Sequence, residues 1–298
     1  MNSNFVIMGL PSSGKTTFLA ALWHLVGANE TECRLKLDGY RGDFSYLNFI
    51  AAAWRSFKPM TRTSQVGDTS VNVTIQLRND ETGVSGAAFF PDLAGETFDR
   101  QVEERRCRHE FVDEFTAENG ILFFINADVK EDTLSITELN ARLPSEATIE
   151  IITGVENGAE KGDEAAPSVL CEWEPKLLPA QVKIVQLLSD ILRPPFTPRS
   201  RRLAILVSAW DLTRGMNLTP QHWLAINMPL VDQFLRTNGD FFKHQVYGVS
   251  AQGVSLNDDS AVDEAAKLMP SRRIQIVGPE GEGHDLTEPL VWLMSAEE

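Results

Sequence analysis

The feature that most constrains this chain is Gly9-Leu10-Pro11-Ser12-Ser13-Gly14-Lys15-Thr16, set directly behind the apolar run Phe5-Val6-Ile7-Met8 and ahead of Thr17-Phe18-Leu19-Ala20-Ala21-Leu22-Trp23. It reads as strand, loop and helix. The spacing is G-x-x-x-x-G-K-[ST], in which successive backbone N–H groups and a helix N-terminus surround phosphate oxygens. Gly9 and Gly14 permit torsions that a side chain would obstruct. Lys15 is placed to reach β- and γ-phosphates, and the Thr16 hydroxyl to hold Mg²⁺.

With 298 residues and 43% hydrophobic content, the chain can bury a large core without staples. A net charge of −15 argues against a general nucleic-acid or membrane-surface binder, because phosphate surfaces select basic faces. Cys33, Cys107 and Cys171 lack C-x-x-C spacing, so neither a disulfide framework nor a zinc site is indicated. No apolar run approaches a membrane span, the first strand starts near Met1 with no room for a signal peptide, and a cytoplasmic protein is expected.

Along the chain, residues 27–70 are irregular in pattern apart from a helix around Tyr46–Trp54. Val71–Leu77 alternates with period two, Asn79–Gly83 supplies turn chemistry, and Ala87–Phe90 closes an antiparallel hairpin. That hairpin leads into Pro91-Asp92-Leu93-Ala94-Gly95-Glu96, where Asp92 can join a magnesium shell and the Gly95 N–H can approach a γ-phosphate. A charged, partly exposed helix is expected over Asp99–Glu118, then a buried parallel strand at Gly120–Ala127. Residues 130–172 read as an insertion.

Helical spacing resumes at Pro175–Leu192, and the strand Leu203–Val207 follows an arginine cluster, Arg199, Arg201 and Arg202, read as a solvated lead-in. It runs into Ser208-Ala209-Trp210-Asp211. One helix over Trp223–Leu235 and a strand over Gln245–Val249 come next, the strand ending in Ser250-Ala251-Gln252. The extension from 253 to 298 holds a short strand at Arg273–Val277 and a closing helix with Pro289 in its first turn. Alternating strands and helices predict one α/β domain over 1–298. Its sheet should be three-layer and mainly parallel, with one antiparallel edge strand and the insertion before the fourth helix region.

Taken in order, these motifs resemble P-loop GTPases of the translation-factor and Ras-like class. Within it, the stretch Gly9–His24, Pro91–Glu96 and the tail His284–Leu293 are similar to the double-GTPase families of bacterial conflict systems. The resemblance implies GTP/GDP and Mg²⁺ as ligands, with Pro11, Ser12, Ser13 and Thr17 joining Gly9, Gly14, Lys15 and Thr16 around the phosphates. It also implies a second GTPase and effector proteins as partners in an antiviral locus.

Asp211 matches the carboxylate that accepts from guanine N1 and N2 hydrogens, and Ala251, between Ser250 and Gln252, matches the residue whose N–H meets guanine O6. Two positions depart from the pattern. Ser208-Ala209-Trp210-Asp211 stands where Asn-Lys-x-Asp is usual, which leaves Trp210 as the candidate to cover the base. Glu96 stands where Ras-like proteins carry a water-orienting glutamine, and its charge beside the γ-phosphate predicts slow hydrolysis. Thr61, Thr63 and Thr69 compete to be the magnesium ligand of the first switch, Thr63 being preferred, with Arg62 either an in-cis catalytic arginine or an ordinary loop cation. The competing readings are a nucleotide-binding scaffold with negligible turnover and an ATP-using phosphotransferase.

Overall fold

The computed structural model describes residues 2–59, 73–90, 96–107, 109–116, 120–128 and 178–295. A nine-stranded sheet runs through it in the order β2-β3-β4-β1-β5-β6-β7-β8-β9. The strands are β1 (Asn2–Gly9), β2 (Leu35–Arg41), β3 (Val73–Asn79), β4 (Ser85–Phe90), β5 (Gly120–Asn126), β6 (Arg201–Ser208), β7 (Phe242–Ser250), β8 (Gln275–Gly278) and β9 (Gly281–Gly283). From β4 through β1, β5 and β6 to β7 every pairing is parallel. The outer pairings at both ends are antiparallel.

Strand alternation sorts the apolar side chains into two cores. Phe5, Ile7, Leu122, Phe124, Leu206 and Val249 face one way, against α1 (Lys15–Ala28), α2 (Phe44–Arg55) and the closing helix. Val6, Met8, Ile121, Phe123, Ile205 and Val246 face the other way. That second face is covered by α3 (Glu96–Glu104), α4 (His109–Thr116), α5 (Ala180–Asp190), α6 (Pro220–Asn227) and α7 (Pro229–Thr237). The result is the expected three-layer α/β arrangement. Helix α1 is apolar almost all round, from Phe18 to Val26, because sheet and α2 enclose it.

Several local expectations are corrected. Residues 27–70 contain β2, which outflanks β3, so the antiparallel strand of the hairpin is not the edge of the sheet. A second antiparallel strand, β8, extends the other side. The helix expected over Asp99–Glu118 is two helices, and Phe98, Phe111 and Phe115 are buried, which ties the segment to the core. Between them Arg105 takes φ 57°, a conformation that ends a helix. The helix over Trp223–Leu235 is likewise two, because Pro229 cannot continue α6 and starts α7 instead. In α5 the buried face is Gln181, Ile184, Leu187 and Leu188, while Val182 points outward. Arg201 is not a solvated lead-in: it is 3% exposed and its guanidinium donates to Thr197 O at 2.9 Å and Ile191 O at 3.4 Å.

Beyond β7 the chain forms α8 (Asp259–Ala265), α9 (Pro270–Arg273), the β8–β9 hairpin and α10 (Glu288–Met294). Pro289 does occupy the first turn of α10. This last segment is docked onto the start of the sheet. Arg34 N donates to Asp285 Oδ2 at 2.9 Å and Leu35 N to Thr287 Oγ1 at 3.3 Å. Leu293 and Met294 lie so close to Gly120 and Gly86 that a Cβ there would meet them at 2.9 and 3.2 Å. Cys33 and Cys107 are free thiols, and Cys171 and the expected insertion at 130–172 lie outside the described residues. Among the described residues no helix is long and apolar enough to cross a membrane.

Candidate nucleotide site

The parallel strands end together. Gly9 pairs with Phe124, Asn126 with Ser208, and Ser208 with Val249, so the segments after β1, β5, β6 and β7 emerge side by side at one edge. Open α/β sheets bind ligands there.

After β1 the loop turns tightly, with Gly9 at φ 150°, Ser12 at φ 60° and Gly14 at φ 89°. Both glycines are required by space. A Cβ on Gly9 would lie 2.8 Å from Phe124 O, and one on Gly14 would lie 2.8 Å from Ser208 Cβ. Lys15 is 3% exposed and curls back over the loop, donating from Nζ to Gly9 O at 2.8 Å, Leu10 O at 2.9 Å and Ser13 Oγ at 3.2 Å. Thr16 and Thr17 follow on the first turn of α1, whose N-cap, Gly14, provides no side-chain acceptor for the first amides. A helix N-terminus behind a glycine-framed loop has the backbone polarity that favours an anion.

A cleft of about 300 Å³ opens beside this loop. Of the residues expected at the site, Ser12, Gly14 and Thr17 line it from the loop side, and Ser208, Asp211, Ser250, Ala251 and Gln252 from the other. Ser250 Oγ donates to Asp211 Oδ1 at 2.6 Å and accepts from Gly253 N at 3.2 Å, so the two segments hold each other's geometry. One carboxylate oxygen of Asp211 is thereby fixed.

Trp210 is the residue that the structure removes from the site. It is 7% exposed, its ring fits onto Gly248, where a Cβ would come within 2.3 Å, and it meets Trp223 edge-on at 6.5 Å. It is a core residue and does not line the cleft. Leu212, half exposed, lines the cleft in its place.

Asn126 was not foreseen. Its Nδ2 donates to Ser12 O at 3.0 Å and its Oδ1 accepts from Asp128 N at 3.0 Å, clipping the phosphate loop to the end of β5. Its place at the carboxyl end of a buried strand was the available signal. Ala209, Val254 and Ser255 also line the cleft without having been singled out.

Glu96 opens α3, while Arg62, Thr63, Asp92 and Gly95 lie outside the described residues. Thr16 is thus the one described member of the expected magnesium shell. Hydroxyl and carboxylate oxygens are hard donors of the kind that this ion takes.

No curated protein matches the sequence. Among solved structures it is similar to the Saccharomyces cerevisiae Ski7 GTPase-like domain bound to GTP, at 15% identity and a TM-score of 0.40, over 87% of this chain and 45% of that one. It is also similar to the Trypanosoma brucei Arl6 BBS3 small GTPase with bound GppNp, at 12% identity and a TM-score of 0.36, over 90% of this chain and 98% of that one. The chain spans less than half the length of the Ski7 chains that it matches. A model of one protein family, Double-GTPase 1, matches residues 6–293, from the first strand through the closing helix, and the chain belongs to that family.

Proposed function

We propose that the chain binds GTP with magnesium, hydrolyses it slowly to GDP and phosphate, and serves as a nucleotide-dependent switch for partner proteins. The observation that carries this is the convergence on one cleft of the glycine-framed phosphate loop and the Ser250–Asp211 pair.

The phosphates would lie against the amides of residues 12–17, and Lys15 would exchange the carbonyls of Gly9 and Leu10 for phosphate oxygens. The Asp211 carboxylate would accept from the N1 and N2 hydrogens of guanine, which adenine lacks, and the Ala251 N–H would donate to O6. Magnesium, held by Thr16 with Asp92 and Thr63, would neutralise charge on the β- and γ-phosphate oxygens. Glu96 would orient the attacking water in place of glutamine, with Arg62 as a cation for the transition state. The added negative charge of Glu96 is the reason for expecting a low rate, and the amides around Gly95 would order on the γ-phosphate and relax after its loss.

We infer a second GTPase and effector proteins in a bacterial defence locus as its partners. Glu96 also favours a scaffold that binds GTP with negligible turnover, and single-turnover hydrolysis with and without candidate partners separates it from a switch.

The deciding experiment displaces a fluorescent guanine nucleotide from the purified protein with GTP or ATP in the presence of magnesium. GTP is expected to compete at a concentration at least about tenfold below that of ATP. Lys15→Ala should weaken both by roughly a hundredfold, since it removes charge-assisted hydrogen bonds to phosphate. Equal displacement by ATP overturns the guanine assignment.

A further inference from the structure

Behind the base-facing loop lies a buried brace that none of the nucleotide motifs accounts for. Trp54, in the last turn of α2, is 0% exposed, and its Nε1–H donates to Ala251 O at 3.0 Å. In return Gln252 Nε2 donates to Trp54 O at 3.3 Å. The guanidinium of Arg273 sits 4.8 Å from the centre of the Trp54 ring and 4.2 Å from that of Phe57, and its Nη1 donates to Arg55 O at 3.4 Å. Gly253, at φ 84°, passes so close to Arg273 O that a Cβ would come within 2.2 Å.

The peptide that follows Ser250 is therefore pinned on both sides. Upstream, the Ser250 hydroxyl is locked to Asp211. Downstream, the Ala251 carbonyl is locked to an indole more than 190 residues away in sequence, held in turn by a cation on its face. The Ala251 N–H lies between these two anchors, which restrict its movement, and Ala251 lines the cleft.

We infer that Trp54 is a specificity-setting positioning residue: through its indole N–H it fixes the Ala251 amide that reads the 6-position of the purine. This rests on the GTP-binding reading above. A 6-oxo group accepts from that amide, whereas the 6-amino group of adenine opposes one donor with another, so the rigidity of the amide sets how strongly adenine is refused. The 2-amino group is read by Asp211 and should be indifferent to Trp54.

The test uses Trp54→Phe in the full chain. Phenylalanine keeps an aromatic face for Arg273 and lacks the N–H. Affinities for GTP, ITP and ATP are measured by competition. The expected result is a fall of about tenfold in the preference for GTP over ATP, from loss of one buried hydrogen bond, with the GTP-to-ITP ratio unchanged. GTP and ITP share the 6-oxo group and differ only at the 2-amino group, so they should weaken together. Should the phenylalanine variant fail to fold, site-specific replacement of Trp54 by 3-benzothienylalanine removes the N–H while keeping the two-ring shape, and the same ratios decide. A variant that melts earlier but retains the wild-type GTP-to-ATP ratio overturns the inference. A wild-type protein that does not separate GTP from ATP overturns the underlying reading instead, and the inference falls with it.

Discussion

At the scale of single residues, the site is held by side chains that satisfy one another while leaving groups to spare for a ligand. Ser250 occupies one oxygen of Asp211, and in the proposed reading the carboxylate also accepts from a ring N–H and an exocyclic amine. Asp211→Asn replaces that acceptor with a donor. GTP affinity should fall by roughly a hundredfold and xanthosine triphosphate, whose 2-oxo group accepts, should become the preferred ligand, as read by competition of the two nucleotides. Retained guanine preference in the variant would remove Asp211 from base recognition. The position of Asp211 could be read in the sequence from its distance past a buried strand. The burial of Trp210 could not, because the gap that its ring fills is created by Gly248 on the neighbouring strand.

At the scale of elements, the legible parts were those with a strong local signal. The phosphate loop carries its own torsional demands in Gly9 and Gly14, and β5 and β6 are unbroken apolar runs that fit only a sheet covered on both faces. Strand β2 was illegible for the opposite reason. As an edge strand with Asp38 and Gly39 at an irregularity, it buries one side chain fully and shows no alternation to count. The split of α6 from α7 follows from Pro229, a signal present in the sequence but outweighed there by the apolar spacing on either side.

The packing of the segment after β6 onto β7 gives a prediction of its own. Gly248→Ala would press a methyl into the Trp210 ring, and overpacking of this kind costs about 1–3 kcal/mol. Because Asp211 is the next residue, the same displacement should weaken GTP binding more than it weakens a ligand carrying phosphates alone, such as inorganic triphosphate. Equal weakening of the two would mean that the segment moves without disturbing base contacts.

At the scale of the whole molecule, a chain with a net charge of −15 should respond to pH through the carboxylates that it buries. Glu288 is the clearest. Burial, helped by the nearby charge of Glu280, pushes its carboxyl above the usual range, and its buried Oε1 has no hydrogen-bond partner among the described residues. A place in the first turn of α10 favours the anion, but not enough to reverse the direction. A carboxyl raised in the folded state stabilises while protonated, and that contribution is lost as pH climbs from the ordinary carboxylate value through the raised one. Glu288→Gln should therefore melt together with the parent protein below about pH 4 and melt roughly 2 °C higher near neutrality. An unchanged difference across the whole pH range would show that the side chain acts through shape alone.

The three-layer plan was legible at this scale, because strand and helix signals alternate along the chain. The docking of its last segment onto its first edge strand was not, since it depends on Asp285 and Thr287 meeting the amides of Arg34 and Leu35 some 250 residues away. That contact sets an order of events during synthesis. While the ribosome is still making the stretch after β7, the amides at the start of β2 lack their native acceptors and the faces of Gly86 and Gly120 stand uncovered. This side of the sheet is therefore covered only after residues 285–294 have left the exit tunnel, and a nascent chain stalled before them should leave it open to solvent.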